Sequence, residues 1–96
     1  MTVAVPLLPE AEVRAAVHAG LWEEAMELLA HHDRELRRAL EGAEMSQLSA
    51  APWRELLEHQ TALLGDLCLI RDETARTLAR LGRDRRGALA YREVSA

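Results

Sequence analysis

With 96 residues, 49% of them apolar, the chain has room for one modest core and is not disordered throughout. The apolar residues are mostly Ala and Leu, with one Ile, five Val and no Phe, and the polar ones are mainly Glu and Arg, so the composition points to helix and away from strand. A single Cys excludes an internal disulfide, no stretch approaches the ~18 uncharged residues that span a bilayer, and the net charge is a modest −4.

Residues 1–8 read as a loose lead-in. Their apolar run lacks a positive n-region and is broken by Pro6, which is a poor secretion signal, so a cytoplasmic protein is expected. Pro9 suits a first helical position, and Glu10 and Glu12 suit a first turn. A first helix is predicted over about 9–19, ended by Gly20. It is too short to be stable alone, so Val13 and Val17, four apart on one face, must dock on something larger.

A second helix is predicted over about 21–41, stopped by Gly42. Trp22, Ala25, Met26, Leu29, Leu36 and Leu40 fall on one face, while Glu23, Glu27, His31, Arg34 and Arg38 gather on the other. Asp33 falls inside the apolar stripe and needs a polar partner there; His32 falls at its edge. Residues 42–51 read as a loop, with Ser49 a cap for the next helix and Pro52 tolerated in its first turn.

The third helix, about 50–81, has no breaker from Trp53 to Leu81 except Gly65. That stretch is about 29 residues and roughly 43 Å long. Trp53, Leu56, Leu57, Gln60, Leu63, Leu64, Leu67, Ile70, Thr74, Leu78 and Leu81 recur at alternating three- and four-residue spacing, as in the seam of an antiparallel hairpin. Gly82 is expected to interrupt it, leaving a short, basic, loosely held helix over about 83–92. The fold expected is a single all-α domain over 1–96, a small antiparallel bundle of three to four helices built around a long helical hairpin.

The charges are unevenly placed. Residues 1–45 carry nine acids and four Arg, a balance of −5, and residues 76–92 carry six Arg and Asp84, a balance of +5. Basic residues near helix ends offset the helix dipole and keep a helix solvated, which is the ordinary reason for such a cluster. No Glu-x-x-His pair accompanies His31, His32 or His59, whose neighbours three residues back are Leu28, Leu29 and Leu56, so no metal site or cofactor is expected. Cys68 lies within Leu67–Ile70, an apolar setting in which a thiol is unreactive. No phosphate-binding loop is present and the carboxylates are scattered over solvated faces, so the chain is not expected to be an enzyme.

The width of the third helix's apolar surface is more informative. From Ile70, Leu63 and Leu56 across to Leu57, Leu64 and Cys68 it covers an arc of about 160°, against the ~100° that one neighbour requires. Two short helices and one other long one do not obviously cover all of it, and an external protein partner is expected.

Three features resemble the FliT-type flagellar export chaperones: the Gly20-Leu21-Trp22 turn opening an amphipathic helix with Leu28-Leu29; the long helix beginning Trp53-Arg54-Glu55-Leu56-Leu57; and the ending Arg85-Arg86-Gly87-Ala88-Leu89-Ala90-Tyr91. The resemblance covers roughly residues 10–92. The sequence departs from it at Leu21, where the family often has an acidic residue, and in the shortness of the first helix. The resemblance implies a protein that binds the C-terminal helix of the filament-cap protein, prevents its premature assembly and escorts it to the export ATPase and gate. Some members also bind the flagellar master transcription regulator, and members use their last helix as a movable cover. A client helix would lie beside the third helix in helix-in-groove fashion, on Leu64, Leu67, Ile70, Leu78 and Leu81.

Three other readings remain open. The Gly20–Ala25 segment resembles a tetratricopeptide core, although a 29-residue helix does not fit repeats of paired short helices. The Arg-rich end suits a nucleic-acid-associated regulator, and the apolar stripe suits a structural homodimer.

Overall fold

The computed structural model describes residues 2–95, with side chains to residue 92. Among these the protein is all-helical, without strands: α1 (Glu10–His18), α2 (Trp22–Leu40), a 3-10 turn (Met45–Gln47) and α3 (Ala50–Ser95). No helix among them is long and apolar enough to cross a membrane.

Two glycines make the corners. Gly20 has φ +78° and closes α1: its N–H donates to the Val17 carbonyl at 3.0 Å and Leu21 N–H donates to the Ala16 carbonyl at 2.8 Å. These two bonds form a Schellman motif, which satisfies the last carbonyls of α1 and turns the chain directly into α2. After α2, Glu41 (φ −63°, ψ 119°) and Gly42 (φ +71°) form a type II turn, closed by Ala43 N–H on the Leu40 carbonyl at 3.1 Å. Glu44 and Gln47 then cap the 3-10 turn reciprocally, side chain to backbone in both directions.

The expected break at Gly82 does not occur. Gly82 and Gly87 stay helical, and α3 runs unbroken as one 46-residue helix, so the separate helix over 83–92 is corrected to the far end of α3. An interior glycine costs only about 1 kcal/mol relative to Ala, and strong helix formers stand on both sides of each. The movable cover implied by the resemblance has no hinge at Gly82.

Two compact units divide the chain, Met1–Leu64 and Gly65–Ala96. The first contains α1, α2, the 3-10 turn and the opening of α3. The helix α1 packs against α2, and Val13, Ala16, Val17, Ala25, Leu56 and Leu63 are buried there. Val13, four residues before Val17, is fully enclosed, the docking that so short a helix needs. The second unit is the remaining length of α3, and almost all of its described side chains are exposed.

The lead-in lies against the first unit rather than out in water. Val3 N–H donates to the Gln47 carbonyl at 2.9 Å, and Val5, Pro6 and Leu8 are half-buried. An uncharged run containing Val3, Val5 and Leu8 loses less by lying on apolar neighbours than by standing in water.

Candidate functional site

In the first unit a buried histidine meets a half-buried glutamine. His32, on α2, is only 5% exposed, and its Nε2 lies 2.9 Å from the side-chain nitrogen of Gln60 on α3. With the amide donating, the ring nitrogen accepts. The other ring nitrogen, Nδ1, is buried without a hydrogen-bond partner, as is Nε1 of Trp53. This reverses the expected roles of two neighbours: His32 turns inward, whereas Asp33 is exposed and meets Arg37 at 2.9 Å, one turn along the same helix. One step of 100° separates the two positions, so a small rotation of α2 decides which of them is buried.

Beside this pair runs a groove. Leu29 and Leu36 of α2, Gln60 and Leu64 of α3, and Leu8 line a cavity of about 290 Å³. A second cavity, about 390 Å³, lies between residues 5–8 and Pro52, Leu56 and His59 of α3. Its rim is held by Glu10, which bonds Arg14 at 3.1 Å and faces His59 Nδ1 at 3.6 Å, linking the start of α1 to α3.

The five residues expected to meet a client divide between the units. Leu64 belongs to the groove of the first unit and is about half-exposed. In the second unit Leu78 is 64% and Leu81 55% exposed, and Ile70 is half-buried. Leu67 is corrected: at 5% exposure it is a packed residue and offers no surface for docking. Leu89, which sequence reasoning left out, is also exposed and extends the apolar row by two turns; its spacing from Leu81 and Leu78 was the available signal. Leu8 was missed as well, because it stood in a stretch read as a tail.

Cys68 is exposed, so the inertness expected from its apolar neighbours does not follow from burial. Among the described residues no three His, Cys, Asp or Glu side chains converge as metal ligands would. The Arg residues at 76, 80, 83, 85 and 86 are all exposed on the second unit.

Compared with known proteins, the chain matches no protein-family model, no curated protein and no solved structure.

Proposed function

We propose that this protein is a cytoplasmic, non-enzymatic binding protein, an export chaperone of the FliT type, that holds an amphipathic helix of a client against α3. The observation that carries the reading is the uncovered row Leu78, Leu81 and Leu89 on a helix that has no other described element within its own compact unit. Three such side chains are worth roughly 1.5–3 kcal/mol each when covered, before the entropy of association is subtracted. The row alone supports weak binding, and micromolar affinity, about −8 kcal/mol, requires the client to make further contacts along α3.

The client of the proposal is the C-terminal helix of the flagellar filament-cap protein, with the export ATPase and gate and the master transcription regulator as further partners. Ile70, Leu78 and Leu81 are its contact residues in the second unit. The proposal takes α2 and the opening of α3 as the antiparallel hairpin of a small bundle, a reading supported by the His32–Gln60 contact between them. Leu78→Asp and Leu81→Asp test the function cleanly, because both side chains are exposed and their loss leaves the first unit's core intact. Titration calorimetry with the cap protein's C-terminal segment should show binding to the parent chain and at least a tenfold loss in each variant, with circular dichroism unchanged. Absence of binding to the parent chain removes the reading.

The run of exposed Arg favours a second reading, attraction to nucleic acid. Retention on immobilised DNA that collapses between low and moderate salt would support it.

A further inference from the structure

Leu8 stands between two cavities. One opens toward Pro52, Leu56 and His59, the other toward Leu29, Leu36 and Leu64, and Leu8 lines both. Along α3 the two together reach from Pro52 to Leu64, roughly 18 Å of helix. We propose that residues 3–8 are a displaceable strap over a single apolar groove on the first unit, and that the groove accepts a basic-flanked amphipathic helix of about three turns when the strap leaves.

The strap is lightly held. Residues 2–9 form no helix or strand, and a backbone hydrogen bond ties them to a distant element, Val3 N–H to the Gln47 carbonyl. What remains is the half-burial of Val5, Pro6 and Leu8. The absence of regular structure and of any fully buried side chain from Thr2 to Pro9 marks a segment that opens well below the cost of global unfolding.

Charge selects the partner. The segment from Thr2 to Pro9 carries no charged side chain, whereas the carboxylates of Glu10, Asp33 and Glu55 stand among the residues lining the two cavities, Glu10 and Asp33 each shared with an arginine of its own helix through a partly exposed ion pair. A helix that offers Leu-sized side chains to the groove and Arg or Lys to its edges meets these acids as well as the apolar floor, which the strap does not. The inference is independent of the flagellar reading, since its partner is defined by chemistry and its test uses no flagellar protein.

Two measurements on the full chain decide it. In native hydrogen exchange the Val3 amide should be at least ~100-fold less protected than the Leu63 amide; equal protection would make the segment part of the core and overturn the proposal. The second uses a synthetic twelve-residue helix with a Leu stripe and Arg flanks, followed by the methyl signals of Leu29, Leu36 and Leu64. These signals should shift on titration, affinity should rise about tenfold in Leu8→Ser, and a Glu-flanked peptide with the same stripe should bind at least tenfold more weakly. Equal affinity for the parent chain and Leu8→Ser, or for the two peptides, overturns it.

Discussion

Gln60 and His32, twenty-eight residues apart, meet at 2.9 Å where α3 reaches α2, and the far ring nitrogen of His32 is left buried without a partner. The pair is therefore asymmetric. Gln60 is half-buried and can turn to water, whereas His32 cannot. Gln60→Leu should destabilise the chain by about 1–3 kcal/mol, because it leaves both ring nitrogens unpaired. His32→Leu should be near neutral or stabilising, and the double variant should recover most of the loss. Urea denaturation of the four chains gives the coupling directly, and additive effects would show that the contact carries no energy.

Leu63 and Leu81 test where the core ends. Leu63 is fully enclosed, so Leu63→Ala should cost about 2–5 kcal/mol, a large share of the ~5–10 kcal/mol expected for a chain this small. Leu81→Ala should change stability by no more than ~0.5 kcal/mol, since its side chain already meets water. Thermal melts followed by circular dichroism separate the two.

Gly42 and Gly82 should answer the same substitution with opposite signs. At Gly42, φ is +71°, and Ala there strains the turn by about 1–2 kcal/mol. Gly82 is helical, and an added Cβ meets only the end of Arg86 at 3.8 Å, so Ala should add about 0.5–1 kcal/mol and raise the helical signal at 222 nm. A loss of helicity in Gly82→Ala would show that α3 bends there.

Cys68 should react with a chromogenic disulfide in the folded chain at a rate close to that in denaturant, because its side chain is exposed. Protection of ten-fold or more would mean that another surface covers it in solution.

Much of the local structure was legible in the residues. Leu, Glu and Arg lose little rotamer freedom in a helix and Ala has none to lose, and stripes repeating at three and four residues place apolar faces. The roles of particular residues were less so. At Gly20 and Gly42 the glycine coincides with the end of an apolar stripe, and both adopt left-handed φ. Gly82 looked equivalent, yet helix formers lie on both sides of it and the helix continues. His32 and Asp33 are adjacent, and the register of α2 against α3 determines which is buried.

The sequence by itself determined the helical class, the corner glycines and the apolar rows, because propensity, turn geometry and periodicity act over a few residues. Only the tertiary structure decided that Leu63 and Leu67 are covered while Leu78, Leu81 and Leu89 on the same helix are not. It likewise decided that Leu8 lies in a groove and that His32 meets Gln60. Burial depends on which distant segments arrive beside a face, and an apolar row looks the same in sequence whether or not anything arrives.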